Sequence, residues 1–350
     1  MIDKIHTKQR IHYLDSLRVL ACMFVLLLHA NNYRFSEMAN SSSGIIYFII
    51  VAVSSKLFFM VSGALLLPLK RPDREFVVHR LKTVLIPLAI WSCLYLFELY
   101  FIRGVGAGEM KRHIASILFT PVEPVLWFVY AMAGFYLLMP IISKCLLALG
   151  KRYIEYYLIL WLASSIIPYI DGLFFTVEAH HTALASINNF LGYIVLGYYL
   201  HNWELPIFKK KYMWWTIFIF ILCVILPPLF AFHFQKNFMS HDSILQMVIS
   251  DLGINTIMLG IFFFTIFQHF VRPENNLFNR IMANLSVVTF GVYLFHMFLF
   301  RNLLWPWAES YLHLPIIATS ILLACIAMAL SYCLFRLLYI LPFSKYIIGH

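Results

Sequence analysis

An arginine and a histidine stand eleven residues apart inside one apolar run, Tyr13 to Asn32 (YLDSLRVLACMFVLLLHANN). At about 100° per residue this is three turns plus roughly 20°, so a helix carries Arg18 and His29 on one face. At about 1.5 Å per residue they lie roughly 16 Å apart along the axis, about half of a ~30 Å hydrocarbon core. Ionisable groups at that depth are costly and are expected to face a cavity or a partner, not lipid. The pair offers a permanent cation suited to paired anionic oxygens and, three turns on, a base that titrates near neutrality.

The rest of the composition says what must position them. Hydrophobic residues make up 62% of the 350, charged residues only 12%, and the mean hydropathy is +0.82. That is the balance of a polytopic membrane protein. The net charge of +10 is scattered between apolar segments, not gathered in a face or tail, so it reads as topology signal and not as a nucleic-acid surface. Cys22, Cys93, Cys145, Cys223, Cys325 and Cys333 all sit in apolar runs without metal-ligand spacing, so neither a disulfide framework nor a metal site is expected. The basic N-terminal stretch lacks a small-residue cleavage site and Arg18 interrupts the apolar run, so the segment is expected to stay as the first helix.

Ten segments approach the ~20 residues that span a bilayer. They lie near 13–33, 45–68, 79–102, 124–147, 153–172, 186–203, 212–233, 247–270, 281–303 and 313–341. With the N-terminus inside, the cytoplasmic segments collect eighteen Lys and Arg, including Lys70, Arg71, Arg74, Arg80, Lys82, Lys144, Lys151 and Arg152. The external ones hold six: Arg34, Arg103, Lys111, Arg112, Lys236 and Arg301. The loop from Gly172 to Ser186 has none. This asymmetry predicts an all-α bundle of about ten transmembrane helices, in one domain over 1–350, with both termini cytoplasmic. HIASILF, in the longest external loop, is expected to lie in the interface.

That orientation sorts the remaining polar groups by depth. Arg18, Arg80 and the Ser62–Gly63 pair fall on the inner side, Lys56 near the middle, and His29 and His296 in the outer half. Glu98 and Asp251 also fall outward, beside the aromatic pair Trp127 and Tyr130, which can stack on a sugar or anchor in the interface. The bland readings are specific: Arg18 paired with Asp15 one turn earlier or snorkelling to headgroups, His296 in an outer aromatic belt, and Ser62 and Gly63 in close helix packing. A cation-rich inner vestibule and an imidazole-bearing outer one suit a small group received at one face and used at the other.

Six stretches carry a resemblance: RVLACMFVLLLH (Arg18 to His29), FFMVSG (Phe58 to Gly63), RLKTVLIP (Arg80 to Pro87), LWFVYAMAGFYLLMP (Leu126 to Pro140), LGYIVLGYYL (Leu191 to Leu200) and SVVTFGVYLFH (Ser286 to His296). In this order they resemble the motifs of the membrane-bound acyltransferase 3 family, in its bacterial O-acetyltransferase type that modifies envelope glycans. The resemblance implies a ten-helix core in the inner membrane, an acyl-CoA donor (usually acetyl-CoA) taken from the cytoplasm, and a glycan or lipid-linked glycan acceptor. It implies no permanently bound cofactor and a stand-alone domain. It makes Arg18 and His29 the family's essential R-x10-H pair and Arg80 its basic position opening the third helix. Two positions depart from the pattern: Thr83 stands where many members have a second arginine, with Lys82 beside it, and Lys56 where many have proline.

The residue chemistry agrees with that implication. Acyl transfer from a thioester to a hydroxyl needs a base near neutrality, and His29 can serve as that base or take the acyl group itself. A CoA-type donor carries several phosphate charges, which Arg18 and Arg80 can hold, with Lys82 and Ser62 beside them. On the acceptor side stand His296, Trp127, Tyr130 and Glu98. The rival reading is a transporter or flippase that uses the same intramembrane charges as a substrate path.

Overall fold

The computed structural model describes residues 10–39, 41–166, 187–203, 210–235, 250–274, 276–341 and 343–349. Among them the regular structure is helical throughout, with no strand. The loop from Gly172 to Ser186, the far end of the expected fifth span, and Lys4, Lys8, Lys209 and Lys236 lie outside the described residues.

The chain runs α1 (His12–Ala30), α2 (Phe35–Ala39), α3 (Ser42–Val51), α4 (Ser54–Leu66), α5 (Asp73–Phe97), α6 (Ala107–Ser116), α7 (Trp127–Ser164), α8 (Leu191–Asn202), α9 (Met213–Gln235), α10 (Ile254–Phe270), α11 (Leu277–Leu299), α12 (Trp305–Tyr311), α13 (Ile316–Leu338) and α14 (Ser344–Ile348). Six helical stretches among the described residues are long and apolar enough to cross a membrane: 12–30, 42–66, 73–102, 124–164, 277–311 and 316–338. Helix also occupies the other expected regions, but α8 has 12 residues and α10 has 17, short of the ~20 a span needs. The expected fourth and fifth segments form one run, α7, interrupted at Gly150, whose φ of +72° and ψ of 177° are open essentially to glycine alone.

Local chemistry sets the helix ends. Ser41 caps α3 by accepting from the Gly44 N–H at 3.0 Å, and Asn276 caps α11 by accepting from the Asn279 N–H at 2.8 Å. Pro72 and Pro315 precede α5 and α13. The second span breaks between Val51 and Ser54 into α3 and α4. α5 and α11 each end in a wider π-helical turn, Glu98–Ile102 and Phe300–Leu304. α6 contains the start of HIASILF, and none of its residues is buried.

α1 is the central post. It packs against α4, α10, α11 and α13, burying Leu17, Ala21, Cys22, Leu26 and Ala30. α4 in turn packs on α8 at backbone distance. A Cβ on Gly63 would sit 1.9 Å from the Ile194 carbonyl oxygen, and one on Gly197 would sit 2.0 Å from that of Met60. Glycines that let helix backbones meet are the usual device where lipid supplies no hydrophobic drive. The packing reading of Gly63 therefore holds, and the contact fixes α4 against α8.

Candidate active site

The first cavity gathers positive charge. Arg18 from α1, Arg80 and His79 from α5, and Lys70 and Arg71 from the turn between α4 and α5 line a space of 260 Å³ with Ser62 and Tyr136, and among the described residues no carboxylate is in its wall. Neither Arg18 nor Arg80 makes an ion pair among the described residues; Arg80 lies 5.9 Å from the Phe76 ring centre. Asp15 is taken elsewhere, with Arg10 Nε 2.5 Å from its carboxylate and Ser286 Oγ donating to it at 2.8 Å. The alternative in which Arg18 pairs with Asp15 is therefore not what the structure holds. A guanidinium withdrawn from water without a counter-ion is costly, so its place in this wall favours an anionic ligand.

A second space of 190 Å³ continues from the first and shares Arg18, Ser62, Arg80 and Tyr136 with it. It adds Thr83, Ser286 and Thr289, and is also lined by Phe128 and Tyr293. Those two aromatic residues also line a third space, of 260 Å³, which holds His29, Ser54, Ser55, Lys56, Trp127 and Asp251. Shared walls thus link the cation cavity, through this smaller second space, the neck, to an imidazole pocket. Arg18 and His29 sit at its two ends on the same helix.

The imidazoles are brought together. The rings of His29 and His296 lie 5.2 Å apart, centre to centre. His296 is fully buried, its Nδ1 is 2.6 Å from the Tyr293 carbonyl oxygen, and its Nε2 has no partner. Nδ1–H therefore donates to the carbonyl and Nε2 keeps its lone pair. Asn32 Nδ2 donates to His29 Nδ1 at 3.1 Å, which leaves Nε2 as the ring nitrogen without a hydrogen-bond partner among the described residues. In this orientation the neutral ring carries its proton on Nε2; turning the Asn32 amide by half a turn moves the proton to Nδ1 and makes Nε2 the basic atom.

The other expected residues fall on both sides of this boundary. Arg80 and Ser62 line the cation cavity, with Ser62 Oγ also donating to the Phe58 carbonyl at 2.8 Å. Lys82 is exposed and lies outside these spaces, while Thr83, three residues after Arg80 and on its face, lines the neck. Trp127 lines the imidazole pocket, but Tyr130 does not; its hydroxyl donates to the Ile117 carbonyl at 2.5 Å. Glu98 is fully buried and faces Arg301, whose Nη1 is 2.9 Å away, outside all three spaces. The same guanidinium holds Glu123 at 2.9 Å, and burial pushes the Glu123 carboxyl above its ordinary range against that pull.

Some members of the constellation were not singled out from sequence. Phe128 and Tyr136 fall in LWFVYAMAGFYLLMP and Tyr293 in SVVTFGVYLFH, but neither stretch assigns them a lining role, and of the added residues only Thr83 is named from sequence, for its place three residues after Arg80. Lys56 had no assignable role; it is buried, donates from Nζ to the Ala52 carbonyl at 2.7 Å, and pairs with the Asp251 carboxylate. No group of three or more metal-ligating side chains occurs among the described residues.

Residues 11–336 match the sequence profile of a family described as an acyltransferase domain, the acyltransferase 3 family. Searches of curated proteins and of solved structures each returned no match.

Proposed function

Because the chain belongs to the acyltransferase 3 family, we propose that this multi-pass membrane acyltransferase moves an acyl group, acetyl first, from cytoplasmic acyl-CoA to a sugar hydroxyl of an envelope polysaccharide or its lipid-linked precursor. Family membership sets the transporter reading aside. In this proposal the bundle has about ten spans in a bacterial inner membrane, both termini are cytoplasmic, and the Arg18 end of α1 faces the cytoplasm.

The observation that supports it is the shared wall of the three spaces: Arg18 and Arg80 open on the neck, and Phe128 and Tyr293 join the neck to the pocket of His29. The phosphates of the donor lie against the two guanidiniums, which favour forked contacts with anionic oxygens. The thioester arm extends along α1 toward His29. Nε2 of His29 takes the hydroxyl proton, the hydroxyl oxygen bonds to the acyl carbon, and the carbon–sulfur bond breaks. The thiolate then recovers the proton, so ester and free thiol leave with no net proton change.

The test uses purified protein in nanodiscs with labelled acetyl-CoA and an envelope-glycan extract. Wild type is expected to release CoA and label the glycan, and a folded His29→Ala variant to lose about 10²-fold or more of that rate. No CoA release by wild type with the extract, or a His29→Ala variant as fast as wild type, overturns the proposal.

A further inference from the structure

The wall of the imidazole pocket that holds Ser54, Ser55 and Lys56 begins where the second span breaks. α3 stops at Val51 and α4 restarts at Ser54, so the Ala52 carbonyl, which a continuous helix would spend on the Lys56 N–H, receives Lys56 Nζ instead at 2.7 Å. The lysine side chain thereby folds back into the protein and stays 3% exposed. An ammonium has three N–H donors. One goes to Ala52 and one to Asp251, and the third has no partner among the described residues. Ser54 and Ser55 are 2% and 9% exposed, also line this pocket, and make no hydrogen bond through their hydroxyls among the described residues.

Unspent donors at a buried site carry a cost that a matching acceptor removes. Here a cationic donor and two hydroxyls share one pocket with His29. Among the described residues the only carboxylate in its wall is Asp251, already held by Lys56. This donor set fits an oxygen that gains negative charge during reaction. Resting on the acyltransfer reading above, we propose that Lys56, with Ser54 and Ser55, binds the acyl carbonyl oxygen and stabilises it as an oxyanion. When the acceptor oxygen bonds to the carbonyl carbon, the C=O π pair moves onto that oxygen. It returns as the carbon–sulfur bond breaks, and the Lys56 N–H holds it between the two events. Asp251, half exposed at the pocket rim, is a positioning residue: it keeps the ammonium turned into the pocket and charged.

The experiment measures CoA release from acetyl-CoA with an envelope-glycan extract in nanodiscs, resolving kcat from the KM of each substrate, with thermal melts alongside. Lys56→Met is expected to lower kcat by about 10²-fold, the usual cost of one oxyanion donor, with the acetyl-CoA KM moved less than about twofold. Ser54→Ala is expected to lower kcat in the same sense. A staple between α4 and the segment before α10 would be preserved in the charge swap Lys56→Asp with Asp251→Lys, so recovery of kcat in the swap overturns the inference. So does a folded Lys56→Met variant with normal kcat, or one whose whole defect lies in the glycan KM, the signature of a cation that binds an anionic acceptor. If Lys56→Met fails to fold, Lys56→Arg carries the test: it keeps the cation with altered reach and is expected to fold with lowered kcat, and normal kcat there overturns the inference. Absence of turnover in wild type counts against the acyltransfer reading itself, which separates the two failures.

Discussion

Phe128 and Tyr293 meet edge to face, ring centres 5.5 Å apart at 67°, and together form the partition between the neck and the imidazole pocket. Both rings are held from behind. Tyr293 donates its hydroxyl to the Val125 carbonyl, and Phe128 packs 4.8 Å from Phe59. In the proposed reaction a stiff aromatic partition would pass a slim thioester arm and resist bulk water, which would otherwise compete with the sugar hydroxyl for the acyl group. Phe128→Leu is therefore expected to raise CoA release in the absence of glycan several-fold over wild type, with little change in melting temperature. Release at the wild-type level would mean that the ring does not guard the passage.

The cation cavity makes a claim about two neighbours on α5. Arg80 lines the cavity without a carboxylate partner, while Lys82 is exposed and outside it. Arg80→Ala is expected to weaken acetyl-CoA binding by about 1.5–3 kcal/mol, the range of a hydrogen bond to a charged group, which is roughly 10- to 150-fold in Kd. Lys82→Ala should move the same Kd by less than about twofold, as suits an exposed charge. Calorimetric titration of both variants checks this. Equal losses would show that the donor is held by the general field of the cationic face and not by the cavity.

The sequence was most informative about residues whose burial is costly. Arg18 and His29 announced themselves because an ionisable side chain inside an apolar run must have a reason, and their eleven-residue spacing already fixed one helix face. The His29–His296 approach was half legible: both were expected at the same depth, but that α11 packs on α1 is a matter of tertiary fit that periodicity does not carry. Glu98 and Tyr130 show the opposite limit. A polar residue near a span end looks the same in sequence whether it meets a ligand, an arginine from another helix or a loop carbonyl. Lys56 stayed unassigned because its partners are the freed carbonyl of a helix break and a carboxylate 195 positions away. The ten-segment count met a further difficulty, since α8 and α10 are too short to be judged by length and composition.

Gly63 tests the packing that holds the α4 wall in place. With the Ile194 carbonyl oxygen 1.9 Å from where its Cβ would lie, a methyl group has no room and the obstacle is backbone. Gly63→Ala is expected to cost about 1–3 kcal/mol as α4 and α8 separate, visible as a lower melting temperature in detergent. Gly134, whose Cβ would meet nothing within 4 Å, is the matched control. Equal melting temperatures for the two variants would show that α4 and α8 shift apart without cost.

The cluster of Arg301, Glu98 and Glu123 joins the ends of α5 and α11. Glu98 opens one π-helical turn, Arg301 lies within the other, and Glu123 stands just before α7. One guanidinium thus bridges two carboxylates, one of them with no exposure and a second oxygen that has no partner among the described residues. Taking away the shared cation leaves both acids desolvated and repelling each other, whereas taking away one acid leaves an intact pair. Arg301→Met is therefore expected to cost about 3–5 kcal/mol, the range for breaking a buried pair from one side. Glu98→Gln should cost much less, and adding Glu98→Gln to Arg301→Met should restore part of the loss, because it removes one of the two acids left without a cation and with it their repulsion. Thermal melts of the three variants decide it: if Arg301→Met melts with wild type, the two acids are reached by water and the cluster does not hold the helix ends together.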